Sequence, residues 1–223
     1  MTTSQARLQS NSATQVALDR VEPIAKRMAQ RLPVDYDSWT IGAPVANKAG
    51  GKSATILDQD CSPILLFTAP LRVPFDAQGF QDDTATRVNW CLDASPEIST
   101  WDAGVDRQIR AKLEVRALDF FGKKLSPDEL RANYHSAVKD ADKYSSQLLK
   151  LKMNKSGRGT VRVWNEAGIM RPMPATWQDC TVQAKAVLKS VWIQSRSWGL
   201  TWEAVDVMIQ TEDAVMECPF QTS

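Results

Sequence analysis

The sequence predicts a mainly β protein of the α+β class, built as a small closed barrel or sandwich with one long helix inserted between its strands. Short apolar or alternating segments, bounded by glycine, proline and polar turn residues, fill both halves of the chain. One long amphipathic segment separates them, and strands separated by a single helix cannot all be joined by parallel crossovers. The 223 residues fit one domain with extensions, because single cores stop growing only near ~250–300 residues.

The first third of the chain predicts an extension followed by strands. Residues 1–15 are polar, and apolar residues then recur at helical spacing from Val16 to Leu32. We therefore expect residues 1–36 to form a flexible lead and an N-terminal helix, ahead of a main domain over 37–210. Four segments of that domain read as strands: Trp39–Ile41, Ala54–Leu57, Ile64–Thr68 and Arg87–Leu92.

Two helices are predicted in the middle of the chain. Ser95, Pro96 and Glu97 supply a capping hydroxyl, a proline for the first helical position and an acid for the first turn. Ser126–Glu129 is a capping box for a second, shorter helix. Gly122 is expected to end the first helix, whose apolar stripe comprises Ile98, Trp101, Val105, Ile109, Leu113 and Phe120.

The last third is expected to be almost entirely strand. Alternation over 160–164 places Arg162 and Trp164 on one face and Val161 and Val163 on the other. Strict alternation over 185–193 would place two lysines with apolar residues, so that segment needs a bulge or a two-sided strand. The four predicted strands are Tyr144–Met153, Thr160–Trp164, Val182–Ile193 and Leu200–Ile209.

Charge is distributed very unevenly along the chain. The formal net charge is only +1, yet residues 144–196 hold nine basic and two acidic residues, a net charge of +7. Beyond Arg196 there is no Lys or Arg, and five acidic residues follow, three of them in an acidic tail over 211–223. The basic block is therefore a candidate surface for an anionic partner.

Several classes of site are disfavoured by residue content. Four widely spaced cysteines without a C-x-x-C pair, together with one histidine, do not supply a zinc site and indicate a reducing compartment. Neither a signal peptide nor an 18-residue apolar stretch is present, which predicts a soluble intracellular protein, in the cytoplasm or nucleus of a host cell, without membrane contact.

Catalytic motifs are also missing. No nucleophile elbow accompanies His135, and Gly50–Ser53 resembles the end of a phosphate-binding loop but has Ala46 where that loop needs glycine. The pairs Asp58/Asp60 and Asp82/Asp83 read as solvated turns. We therefore expect no enzymatic activity, no metal and no cofactor.

The positive signal is the combination of basic and aromatic residues on predicted strands. Single-stranded nucleic acids expose base faces that stack on aromatic rings, while their phosphates bind Lys and Arg. Most of the eight tryptophans are expected in the core. The candidate contacts with nucleic acid are Lys150, Lys152, Lys155, Arg158, Arg162, Trp164, Lys185, Lys189 and Arg196.

The segment Lys189–Val205, with Trp192, Trp198-Gly199 and Trp202-Glu203, resembles the closing hairpin of OB-fold single-stranded DNA-binding proteins of phages and large DNA viruses. Ile64–Ala69, the helix from Pro96 and the basic hairpin over 149–164 extend the resemblance. It implies an OB-like closed barrel over 37–210 that binds single-stranded DNA without sequence readout in replication, recombination or repair.

The resemblance also bears on partners. Members of this class commonly end in an acidic tail with a terminal aromatic residue that recruits replication proteins and competes with DNA. Glu212–Phe220 looks similar, but it is less acidic and three residues follow Phe220. Replication proteins are therefore candidate partners of the tail, RNA is an alternative ligand, and a homo-oligomer is allowed.

Two other functions remain open at the level of sequence. A viral structural or assembly protein of β-sandwich type would use its tryptophans as core and would self-assemble without nucleic acid. A nuclease that depends on a divalent ion would need ligands such as Asp58, Asp60 or Glu203.

Overall fold

The fold is described by a computed structural model over residues 30–47, 50–77, 85–140 and 147–210. Its strands are β1 Thr40–Ile41, β2 Val45–Ala46, β3 Lys52–Leu57, β4 Leu65–Phe67, β5 Leu71–Arg72, β6 Arg87–Asp93, β7 Tyr134–His135, β8 Val138–Lys139, β9 Leu148–Asn154, β10 Arg162–Asn165, β11 Met170–Arg171, β12 Thr181–Gln194 and β13 Ser197–Gln210. Its α-helices are α1 Pro96–Val115, α2 Ala117–Phe121 and α3 Pro127–Ala132. The predicted N-terminal helix and acidic tail lie mainly or wholly outside these residues.

The sheet is organised around the long antiparallel hairpin of β12 and β13. Along its length, β12 pairs on its other edge with β3, β4 and β5, all antiparallel. The other edge of β13 pairs with β7, β9 and β10, all parallel. Together the described strands form one mixed sheet of 13 strands, which β11 continues beyond β10.

The predicted OB-like closed barrel is wrong. Among the described strands, no hydrogen-bonded pair joins the two sides of the sheet that flank the β12–β13 hairpin. Closure needs a continuous circuit of paired strands. Here each edge of the hairpin is shared by several short strands in succession, so the sheet stays open. The prediction that the chain is mostly β is correct.

The helices form at the predicted capping residues. Ser95 Oγ accepts a hydrogen bond from the Ile98 N–H, and Ser126 and Glu129 form the reciprocal capping box. Gly122 ends α2 with a φ of 71°, a conformation that glycine adopts without strain. The expected single helix is interrupted at Arg116, whose guanidinium donates to carbonyl oxygens at the end of β1 and in the loop after it.

The hydrophobic core lies between α1 and one face of the sheet. The helix α1 contributes five of the six buried side chains of the predicted stripe, including Ile109 and Leu113, and α2 contributes the sixth, Phe120. Trp101 of α1 packs on Trp202 of β13, with ring centroids 5.2 Å apart. Six of the eight tryptophans are buried, as predicted, and only Trp164 and Trp192 are partly exposed. Both lie on the opposite face, which we call the outer face.

Candidate functional site

The outer face gathers the six predicted contacts that lie on strands. Lys150 and Lys152 alternate with buried apolar residues along β9. Arg162 and Trp164 project from β10 while Val161 and Val163 are buried, as predicted. The remaining positions are these: Lys185 and Lys189 lie on β12, Lys155 and Arg158 lie in the loop between β9 and β10, and the exposed Arg196 lies in the turn between β12 and β13.

A bulge at Lys189 resolves the ambiguous strand. The register between β12 and β13 shifts between Leu188 and Ser190, so one residue of β12 has no direct partner. Beyond the bulge, Val191 and Ile193 point into the core and Trp192 points outward. Of the two alternatives for 185–193, a bulge or a two-sided strand, the structure has a bulge, and it brings Trp192 to the same face as the lysines.

Two carboxylates in the middle of β13 neutralise part of this face. Glu203 contacts the Arg87 guanidinium at 3.0 Å and the Lys189 ammonium at 3.5 Å. Asp206 contacts Arg162 at 2.7 Å and Lys185 at 3.7 Å. The basic block is therefore less positive in space than in sequence, because β13 places its acids between the cationic strands.

Trp164 is held by the same carboxylate as Arg162. Its indole Nε1–H donates a hydrogen bond of 3.0 Å to Asp206 Oδ1, and the Arg162 guanidinium lies 5.9 Å from the centre of its ring. Met170 of the neighbouring β11 is paired with Trp164 and is exposed. Trp164 therefore presents part of a fixed ring at the edge of the outer face.

A cleft of about 510 Å³ opens where the sheet divides between β7 and β9. β13 pairs with β7 at Trp198–Gly199 and with β9 at Glu203–Ala204. Between these points β9 turns to pair with β8. We call this the Trp192 cleft, and the aromatic and basic side chains discussed below that line it are His135, Lys139, Lys150, Lys152 and Trp192.

The aromatic wall of the Trp192 cleft is an indole beside an imidazole. The rings of Trp192 and His135 lie 5.5 Å apart with an angle of 42° between them. Trp192 faces Gly199 across the hairpin, and a Cβ on Gly199 would lie 2.6 Å from the His135 carbonyl oxygen and 2.7 Å from the indole. Glycine is required here because the ring rests directly on the backbone of β13.

The cationic wall is formed by three lysines. No ion pair within the described ranges involves Lys139, Lys150 or Lys152. Burial, together with the nearby positive charges of Lys150 and Arg87, lowers the pKa of Lys152. Its ammonium donates to Asn89 Oδ1 at 2.6 Å. A phosphate in the cleft would relieve this repulsion between like charges.

The loop over 155–160 extends the cationic surface away from the cleft. All six of its residues are exposed, including Lys155 and Arg158. Its neck is closed by a backbone hydrogen bond of 3.0 Å from the Val161 N–H to the Asn154 carbonyl. Gly157 and Gly159 both have positive φ, which allows the tight turn. Its two cations, Lys155 and Arg158, are therefore accessible to an anionic ligand.

Sequence reasoning missed several residues of this site. The sequence presents His135 only as a candidate catalytic base, and Lys139 and Arg87 lie outside the basic block. Trp192 belongs to the hairpin that carries the resemblance, yet it is not among the predicted contacts. The bulge was the available signal, since a shift in alternation at Lys189 turns Trp192 to the lysine-bearing face.

Asp58 and Gly50–Ser53, which the sequence offered for metal and phosphate binding, both lie within the described residues. Asp58 Oδ1 accepts backbone hydrogen bonds from Asp60 at 3.0 Å and Ser62 at 2.8 Å, so it caps a turn as expected. Within the part of the chain that the structure describes, no three residues of the metal-ligating types form a cluster. Asp82 and Asp83 lie outside that part. Gly50–Ser53 forms the entry into β3.

The molecule is thus a mostly β protein whose open sheet carries an aromatic and cationic cleft on its outer face. No protein-family model and no curated protein matches the sequence. Among solved structures, the chain is similar to a C-terminal truncation of the single-stranded DNA-binding protein from bacteriophage Enc34. The identity is 11%, the TM-score is 0.45, and the likeness covers 78% of this chain and 96% of the other. No helix among the described residues is long and apolar enough to cross a membrane.

Proposed function

We propose that this protein is a non-enzymatic single-stranded DNA-binding protein that holds the strand in the Trp192 cleft without reading its sequence. The observation that carries the proposal is the partly exposed Trp192 ring, adjacent to His135 and bordered by three lysines that have no carboxylate partner among the described residues. Any base presents a face to an aromatic ring, so stacking tolerates every sequence.

The two walls of the cleft have different binding roles, which follow from their chemistry. Trp192 and His135 stack a base, while Lys139, Lys150 and Lys152 neutralise the phosphates on either side of it. A duplex keeps its bases paired and stacked, so it cannot offer a free base face to Trp192. Roles in replication, recombination or repair, and recruitment of replication proteins by the acidic tail, are part of the same proposal.

The direct test is the binding of oligo-dT, measured by fluorescence polarisation at increasing salt. We expect a Kd of about 1 µM or tighter at low salt. For an oligo-dT short enough to reach only the cleft, the three lysines predict a slope of about −2 for log K against log salt, because each contact to a single strand contributes about −0.7. Absence of binding at low salt would refute the proposal. Oligo-U and duplex DNA, measured in parallel, decide between DNA, RNA and a general polyanion.

A second measurement separates this function from assembly. A structural protein would form large particles in size-exclusion chromatography without nucleic acid. A single-strand binder is expected to show a defined size alone and to shift only when oligo-dT is added.

The loop over 155–160 is expected to make a smaller contribution. Replacing both Lys155 and Arg158 by glutamine should weaken binding to long oligo-dT by a few fold and reduce the salt slope by about 1.4, the value for two phosphate contacts. Lys123→Gln/Lys124→Gln is the matched control, since it removes two exposed charges from the segment between α2 and α3, which lies outside the loop. Equal losses in both variants would show that net charge, not the loop, is responsible.

A further inference from the structure

The outer face is divided into two electrostatically different regions. The Trp192 cleft has lysines without carboxylate partners among the described residues, whereas the region between β6, β10 and β12 has Glu203 and Asp206 among its cations. Each carboxylate joins a cation of β12 to one from the opposite side of β13. Since four cations surround two carboxylates, this second region has a much smaller positive charge than its basic residues alone would give.

The two carboxylates are fixed, whereas their cationic partners are accessible. The side chains of Glu203 and Asp206 are each 11% exposed, and those of Arg87 and Arg162 are 48% and 57% exposed. Long cationic side chains can turn towards a phosphate above the sheet. The short carboxylates of a central strand cannot leave, so they would remain beneath that phosphate and repel it.

We propose that Glu203 and Asp206 act as built-in competitors of phosphate that limit the length of strand the outer face holds. This inference rests on the proposed binding of single-stranded DNA. The strand is bound tightly at the Trp192 cleft and weakly beyond it, because each carboxylate already occupies the position between two cations that a phosphate would take. Short oligonucleotides therefore reach nearly the full affinity of the wild-type protein.

The carboxylates also explain how the second region retains its cations without a ligand. Arg87, Arg162, Lys185 and Lys189 lie on three strands around β13 and would repel one another if the acids were absent. Glu203 and Asp206 hold them in place, at the expense of affinity for phosphate. Trp164 shares this restraint, because the hydrogen bond to Asp206 fixes its ring.

The test is the double variant Glu203→Gln/Asp206→Asn, titrated with oligo-dT from about 4 to about 20 nucleotides, a range that brackets common site sizes. Both replacements preserve side-chain volume, and the Asp206→Asn change retains an oxygen that can accept from the Trp164 indole. We expect binding of the longest oligonucleotides to tighten about three- to tenfold, with a steeper salt dependence, because the acids lie a few ångströms from the phosphates. The shortest oligonucleotides should change much less.

The matched control is Asp179→Asn/Glu114→Gln, which also removes two negative charges. Asp179 pairs with Arg72 at an exposed position, and Glu114 is exposed on α1. The inference is wrong if wild type binds and the Glu203/Asp206 variant binds long oligo-dT no more tightly, or if the control tightens it equally. Failure of wild type to bind at low salt, whether or not the variant binds, would refute this inference and the proposed function together.

Discussion

Replacement of Trp192 by alanine is expected to lower the affinity for oligo-dT by roughly 5- to 150-fold, because stacking one base on an aromatic ring contributes about 1–3 kcal/mol. The indole is the main aromatic surface of the cleft, whose other wall carries the three lysines. Fluorescence polarisation at fixed salt measures the loss. The salt slope should change little, since the lysines that bind phosphate are still present.

Two comparison variants make this result specific. Trp192→Phe keeps a stacking surface and should retain most of the affinity, but it should lose the part of the fluorescence quenching that comes from Trp192. Trp164→Ala removes the other partly exposed tryptophan and should have a smaller effect, because Asp206 and Arg162 already engage that ring. If Trp164→Ala weakens binding more than Trp192→Ala, the strand follows β10 and not the cleft.

Local features of the chain were predictable because they depend on neighbouring residues. The capping of α1 by Ser95, the capping box at Ser126 and the outward position of Arg162 and Trp164 all follow from spacings of a few residues. The bulge at Lys189 was implied by a failure of strict alternation. Such signals depend only on residues close in sequence, so they can be identified without knowledge of the fold.

The global errors arise from pairing between distant strands. Whether a set of strands closes into a barrel depends on which edges meet, and alternation within a strand does not encode its partner. The positive charge of the basic block was overestimated for the same reason. Glu203 and Asp206 follow the block in sequence, and the pairing of β13 makes them its neighbours in space. His135 likewise joins Trp192 only because β7 pairs with β13.

Asp102 joins the segment between His135 and Lys139 to α1 by hydrogen bonds. It lies on α1 and is 3% exposed, and its Oδ2 accepts hydrogen bonds from the Ser136 hydroxyl and, at 3.4 Å, from the Val138 N–H. Ser136 and Ala137 connect β7 to β8, the strands that carry His135 and Lys139. A buried carboxylate in the core therefore fixes one border of the Trp192 cleft.

Asp102→Ala is expected to reduce the free energy of unfolding by about 1–3 kcal/mol, because the half-buried Ser136 hydroxyl loses its acceptor. Urea denaturation at about pH 4, where the raised pKa of Asp102 costs the native state least, measures this loss. Oligo-dT affinity should fall as well under conditions in which the variant remains folded, since the Ser136–Val138 segment is released from α1. Loss of stability with unchanged affinity would show that the segment keeps its position without Asp102.

Asp102→Asn distinguishes the charge of this residue from its hydrogen bond. Burial, and to a lesser degree the charge of Asp106, raises the pKa of Asp102 in the folded protein. The native state then binds a proton more readily than the unfolded chain, so this carboxyl makes wild type less stable as pH rises from about 4 towards neutrality. The asparagine variant keeps an oxygen for Ser136 and removes that dependence. The free energy of unfolding of Asp102→Asn should therefore increase relative to that of wild type as pH rises. A difference that stays constant with pH would show that Asp102 does not titrate in this range.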